Sequence, residues 1–376
     1  MSATGGRPCS DLVSVTPLHC WSGAIPRQCP ARRCGVIGGQ SHVEVSTMPG
    51  RVENVGYDIA GTTLSGLLAR PEAGVRPRGL ILAIHGGGSR AAYWHRDGAP
   101  DGSLLLLGAA LGWTVLAIDR PGYGASAGLD RARQGLDAQA DALFALIEES
   151  TAGALDAAPD PGQAPAAGAD PDPAATVEPV EPAEPARPPV FVVAHSMGAV
   201  LALRMGADKR GHDLLGLAVA GVPLRYTPAR LAEFAAVPTD GDFVPSTGGA
   251  APDAFFGPPG SYDPALLTRA GRVVAPVPMA EFVDVRESPN TLPDVLVRVT
   301  PAVHWTVAEF ERSHPSGPEV PALARESLRR ARAVETYTQR GVGHNISLHH
   351  AARAYHLRVL AFAEECLLAV AGPTAR

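Results

Sequence analysis

The sequence predicts an α/β fold with a mostly parallel central sheet and helices on both faces. From Arg51 onward, short runs rich in valine, isoleucine and leucine alternate with longer runs rich in alanine and leucine. Several of the short runs stop abruptly in glycine-rich turns. The chain has 376 residues, 45% of them hydrophobic, which is enough for a large core. Strand-helix alternation needs crossover connections, and these make neighbouring strands parallel.

The elements follow in order. Val52–Ile59 and Thr62–Ala69 read as a hairpin around Ala60-Gly61. Leu80–Ile84 is a buried strand that ends in His85-Gly86-Gly87-Gly88. Ser103–Gly112 is helical by its leucine and alanine content. Trp113–Ile118 is a strand ending in Asp119-Arg120-Pro121-Gly122-Tyr123-Gly124, and Asp130–Glu149 is an amphipathic helix. The Pro-, Ala- and acid-rich stretch 151–189 cannot bury a core and reads as a flexible insertion, because the alternation resumes at Val190. Loop-closure cost grows slowly with length, so a compact fold tolerates such an insertion. Next come a strand from Val190, a helix over Ala199–Ala207 and a strand over Leu214–Gly221. Residues 223–293 are rich in Gly and Pro, with short helices expected at Ala229–Ala235 and Pro264–Arg269, and read as an inserted cap. The alternation closes with strand Pro301–Val307, helix Glu319–Arg330, strand Ala333–Gln339 and a long helix over Ser347–Val370. Residues 1–47 show no sustained period; they read as a poorly ordered extension, with the α/β domain over 48–376.

Composition narrows the function. A net charge of −6 without a basic patch argues against nucleic acid as a partner. No apolar run is long enough to span a membrane, and the first 30 residues lack the continuous apolar segment of a secretory signal, so the expected location is cytoplasmic. Cys9, Cys20, Cys29 and Cys34 crowd the N-terminus with neither C-x-x-C spacing nor a matching histidine pair, so no metal site is expected. Lys209 is the only lysine beside many arginines, a coding bias typical of a GC-rich genome.

The chemistry centres on Ala194-His195-Ser196-Met197-Gly198. A serine between strand formers and helix formers can be forced into a sharp turn that exposes its hydroxyl, with the following helix N-terminus facing the same space. The alternative is a small residue in a tight packed turn. Taken with His85-Gly86-Gly87-Gly88, with Asp119 to Ser126 and with Gly341-Val342-Gly343-His344-Asn345, each placed after a strand in this order, the sequence resembles the α/β-hydrolase superfamily from about Arg51 to Val370. It departs from the family's G-x-S-x-G at Ala194.

The resemblance implies that Ser196 is the nucleophile, that His344 is the general base, and that the backbone amides of Gly87 and Met197 form the oxyanion hole. The acid most often follows the penultimate strand; there the segment Ala308-Glu309-Phe310-Glu311 offers Glu311, with Glu309 as runner-up. Asp119 and His85 read as architecture, and His349, His350 and His356 as surface or packing residues of the last helix. Tyr93, Trp94, Phe255, Phe256 and Tyr262 are candidates for the pocket mouth. No metal, flavin or nicotinamide is implied. The implied activity is hydrolysis of a small-molecule ester or thioester through an acyl-enzyme. Acyl transfer or acyl elimination on the same triad stays open, as does a ligand-binding protein that has lost turnover. An aspartate at the Ser196 position would instead suit epoxide or halide chemistry.

Overall fold

The computed structural model describes residues 50–152, 187–244, 255–267 and 273–371. The expectations for the N-terminal extension and its cysteines, for most of the 151–189 insertion and for the end of the helix at Pro264–Arg269 lie outside the described residues.

Among the described residues, eight strands form one sheet: β1 (Val52–Ile59), β2 (Thr62–Ala69), β3 (Leu80–Ile84), β4 (Thr114–Ile118), β5 (Val190–His195), β6 (Gly216–Ala220), β7 (Ala302–Ala308) and β8 (Val334–Gln339). Their spatial order is β1-β2-β4-β3-β5-β6-β7-β8. β2 runs antiparallel to β1 and β4, and every other neighbouring pair is parallel. This is the mostly parallel sheet of an α/β-hydrolase fold. The order reverses where β3 sits between β4 and β5, and in open α/β sheets ligands bind at the carboxyl ends of strands near such a reversal.

The central strands are buried on both faces, so they read as continuous apolar runs. Along β3, Leu80, Leu82 and Ile84 enter one core cluster while Ile81 and Ala83 enter the other. Helices α2 (Leu136–Ala152) and α3 (Met197–Ala207) cover the first face; α1 (Leu104–Ala110) and the C-terminal α8 (Ala352–Ala371) cover the second.

Helix ends differ from the sequence expectations for local reasons. Residues 131–133 form a 3₁₀ turn, so α2 begins at Leu136 rather than Asp130. α8 begins at Ala352, after a separate 3₁₀ turn over Ile346–Leu348. α3 begins directly at Met197, with Ser196 in the N-cap position.

Within 223–293 the chain forms α4 (Pro228–Ala235), capped by the Thr227 side chain, and α5 (Met279–Arg286), followed by α6 (Ser288–Leu296). The last two were not anticipated. Pro278, Pro289 and Pro293 disguise them: Pro278 is the N-cap of α5 and Pro289 lies in the first turn of α6, where an N–H has no intrahelical partner, whereas Pro293 lies inside α6. Val285, Leu292, Val295 and Leu296 join the core on the α2/α3 face. α7 (Glu319–Ser327) packs against β7 and β8. No helix among the described residues is long and apolar enough to cross a membrane.

Candidate active site

Ser196 follows β5 at φ 53°, ψ −121°. A residue with a Cβ seldom occupies this region, and the cost is tolerated only where surrounding structure fixes it. Ser196 N–H donates to Ala220 O at 2.8 Å, and Ser196 O accepts from Ala199 N at 2.8 Å and Val200 N at 3.1 Å. Gly198 lets α3 start this close to the sheet, since a Cβ there would strike the His85 carbonyl oxygen. Ala194, where the family pattern has glycine, stays within β5, pairs with Ile84 and Val219 and is fully buried, so its methyl is part of the core.

Three strands bring the site together at their carboxyl ends. Ser196 follows β5, Glu311 lies three residues after β7, and His344 follows β8. His344 Nε2 lies 2.9 Å from Ser196 Oγ, and His344 Nδ1 lies 2.7 Å from Glu311 Oε2. With Nδ1–H donating to the carboxylate, Nε2 presents its lone pair to the serine hydroxyl. The runner-up acid is elsewhere: Glu309 is exposed and accepts the Gly341 N–H at 2.8 Å.

Glu311 is buried and fully engaged. Its Oε1 accepts from Ser313 N–H at 2.8 Å and from Ser313 Oγ–H at 2.7 Å. Its Oε2 faces His344 and also His314 Nε2, at 3.3 Å. Burial alone would raise the Glu311 pKa. The His344 and His314 rings, with the hydrogen bonds from His344 and Ser313, outweigh it and hold the group well below the usual carboxylate range. His314 is itself buried, and desolvation lowers its pKa against the pull of Glu311.

His195, beside Ser196, donates from Nε2 to the His344 carbonyl oxygen at 2.8 Å and stacks on Tyr93 with ring centroids 4.7 Å apart. Burial and the neighbouring His344 lower its pKa well below the usual histidine value, so the ring is neutral. It ties the Ser196 turn to the His344 loop. Sequence reasoning missed His195, Ser313 and His314. Only the position of His195 inside the Ser196 pentapeptide offered a signal for any of them.

Gly87 and Met197 lie against each other, since a Cβ on Gly87 would collide with the Met197 thioether. Met197 N–H is the first of the helical amides that lack an intrahelical acceptor. The loop that carries Gly87 is braced. His85 Nδ1–H donates to Gly86 O at 2.7 Å, and its Nε2 accepts the Arg120 N–H at 3.2 Å. Burial and Arg120 lower the His85 pKa well below its usual value, which fits a neutral structural ring. Asp119 accepts from Ala91 N at 2.7 Å and from Ser65 Oγ at 2.7 Å, the architectural role read from the sequence.

A buried network lies behind this loop. Arg120 donates to both oxygens of Glu281 on α5, at 2.7 and 2.8 Å, and to Gln139 Oε1 on α2 at 2.8 Å. Tyr123 OH donates to Glu281 Oε1 at 3.0 Å and accepts the Gly88 N–H at 3.4 Å.

The aromatic candidates divide. Tyr93, Trp94 and Tyr262 are buried, and each packs against a neighbouring aromatic or histidine ring. Phe255 meets the His344 ring edge-on, with centroids 5.7 Å apart. His349 lies before α8; its Nε2 accepts the N–H groups of Gly257 and Gly343, both at 3.0 Å, and so holds the His344 loop.

The sequence profile of the Alpha/beta hydrolase family matches residues 81–356, and the chain belongs to that family. Three solved structures are similar to it. One is a carboxyl esterase from Bacillus coagulans, 15% identical, with a TM-score of 0.59, covering 84% of this chain and 99% of its own. Another is a soluble variant of monoglyceride lipase from Saccharomyces cerevisiae, at 14% and 0.58, covering 86% and 97%. The third is a monoacylglycerol lipase from Paleococcus ferrophilus, at 15% and 0.55, covering 85% and 100%. At these identities the likeness is one of fold. No curated protein sequence matches the chain significantly.

Proposed function

We propose that the protein is a serine hydrolase that cleaves a carboxylic ester or thioester of a small molecule through an acyl-enzyme. The observation that carries this reading is the continuous relay Ser196 Oγ–His344 Nε2 at 2.9 Å and His344 Nδ1–Glu311 Oε2 at 2.7 Å, built on a strained serine turn. Ser196 Oγ attacks the acyl carbon as His344 takes its proton. The Gly87 and Met197 amides receive the developing oxyanion. His344 then protonates the leaving alcohol or thiol, and water attacks the acyl-enzyme by the same route in reverse. Glu311 stays ionised and stabilises the imidazolium.

The chain belongs to the Alpha/beta hydrolase family, and similar folds include a carboxyl esterase and two monoacylglycerol lipases. Of the segment 223–293, the described residues 223–244 and 255–267 serve in this reading as the cap that selects the acyl chain, with Phe255 at its contact with His344.

The test is labelling by a fluorophosphonate probe in wild type and Ser196→Ala, followed by a panel of esters and thioesters. Labelling lost in the variant, with free acid released by wild type, is the expected result. Labelling that persists in Ser196→Ala would reject Ser196 as the nucleophile. Labelled protein that releases no acid from any member of the panel would reject hydrolysis.

A further inference from the structure

Glu311 is shared by two imidazoles, and the second one is not needed for a triad. His314 Nδ1 lies 3.1 Å from Pro315 O. A carbonyl oxygen only accepts, so Nδ1 carries a hydrogen, and in the neutral ring Nε2 carries a lone pair. That lone pair faces Glu311 Oε2 at 3.3 Å and makes no hydrogen bond, in a ring only 5% exposed. Two buried acceptors held together without a hydrogen between them are costly, and a proton on Nε2 or a metal ion between the two atoms removes the cost.

A third donor completes the set. His344 Nδ1, Glu311 Oε2 and His314 Nε2 all lie within 4.8 Å of one another. Two imidazoles and one carboxylate are a ligand set that suits zinc, with a further position open to water. At ordinary zinc–ligand lengths of about 2.0–2.2 Å, a tetrahedral site spaces its ligand atoms about 3.3 Å apart. The Glu311–His314 pair already has that spacing. Only His344 Nδ1 must withdraw from its 2.7 Å contact with Glu311.

We propose that Glu311, His314 and His344 form an inhibitory binding site for Zn²⁺, in which the ion occupies the acid side of the triad. The chemistry balances without net proton release. Neutral His344 gives up its Nδ1 hydrogen to solvent, binds the metal through that nitrogen, and takes a proton from solvent at Nε2. The Nε2–H then faces Ser196 Oγ as a donor, and the base is lost. Hard, oxygen-seeking Mg²⁺ and Ca²⁺ do not compete for a site with two nitrogen ligands. The inhibitory consequence rests on the serine-hydrolase reading; the binding site itself does not.

The test uses the full chain and Zn²⁺ itself. Equilibrium dialysis of Ser196→Ala, with and without His314→Gln, measures binding with no need for turnover. X-ray absorption of zinc-loaded Ser196→Ala separates a nitrogen/oxygen shell from a sulfur shell supplied by Cys9, Cys20, Cys29 or Cys34. Fluorophosphonate labelling of the protein carrying Ser196, titrated with Zn²⁺ and then treated with EDTA, measures the inhibitory consequence. The expected results are one zinc more per chain with His314 present than without it, a nitrogen/oxygen shell, and labelling that zinc suppresses and EDTA restores. His314→Gln should weaken suppression more than ~100-fold, because loss of even an outer partner of a metal ligand costs about 10–100-fold. A zinc titration identical in the two proteins, an all-sulfur shell, or equal suppression by Mg²⁺ would overturn the proposal. If His314→Gln fails to fold, the shell and the EDTA reversal in proteins that retain His314 still decide it. A protein that binds zinc through His314 but shows no labelling at any zinc level would point to failure of the hydrolase reading, not of the site.

Discussion

Replacing Glu281 with leucine removes one half of a fully buried ion pair. The side chains of Glu281 and Arg120 are both 0% exposed. Glu281 Oε1 receives Arg120 Nη2 at 2.8 Å and Tyr123 OH at 3.0 Å; Oε2 receives Arg120 Nη1 at 2.7 Å and Gln139 Nε2 at 2.9 Å. Without the carboxylate, Arg120 keeps Gln139 Oε1 and the Tyr123 ring, 4.8 Å from its guanidinium carbon, as its near neighbours. Neither neutralises the charge, and Arg120 cannot give up its proton. Breaking one side of such a pair costs about 3–5 kcal/mol, whereas replacing both members by apolar groups of similar volume is often neutral or stabilising by about 1–4 kcal/mol. Urea unfolding of wild type, Glu281→Leu, Arg120→Met and the double variant closes the cycle. Each single variant should lose about 3–5 kcal/mol, and the double variant should recover most of it. A single loss below ~1 kcal/mol, the range of exposed pairs, would refute the reasoning. So would a double variant that loses the sum of the two. Turnover of Glu281→Leu, measured where it remains folded, should fall as well, because Tyr123 also holds the Gly88 N–H in the loop that carries Gly87.

Three further outcomes follow from the same geometry. Glu311→Gln should lower kcat by ~10³–10⁴-fold with little change in KM, since an amide cannot stabilise the imidazolium and permits the wrong tautomer of His344; steady-state kinetics on whichever ester is found active checks it, and a drop below tenfold would remove Glu311 from the triad. Gly87→Ala keeps the backbone N–H but sets a Cβ against the Met197 thioether; a shift of the two proposed oxyanion amides by about 1 Å should lower kcat by ~10²-fold, while the melting temperature stays close to wild type, because the added Cβ meets the Met197 side chain rather than backbone. Stability should decline as pH falls from about 6.5 toward 4. His304 and His356 have pKa values lowered to about 4, chiefly by burial, and His85 and His195 are lowered by burial as well. Below the ordinary histidine value near 6.5 the unfolded chain binds protons that the folded chain refuses, so unfolding becomes more favourable as pH drops; urea midpoints that stay flat between pH 6.5 and 4.5 would contradict this.

What the sequence reveals follows from how local each signal is. β1, β2 and β3 are legible to the residue because each is a short apolar or alternating run bounded by turn residues; Ser196, His344 and Glu311, which the structure brings together, stand out only because each follows a strand in the order of the resemblance. α5 and α6 are not legible, because Pro278 and Pro289 carry the same local meaning in a loop as at a helix start, and Pro293 reads as a break although α6 continues through it. Glu281 had no signal either. It meets Arg120 across 161 positions, and only the folded chain makes a charge in that prolyl segment the counterion of a turn after β4. His314 differs again: its ring is close to Glu311 in sequence, but its Nδ1 is committed by the Pro315 carbonyl. The direction of one hydrogen therefore decides whether Nε2 supports the carboxylate or opposes it. Sequence spacing records that the two groups are neighbours, and it carries no record of which lone pair faces which.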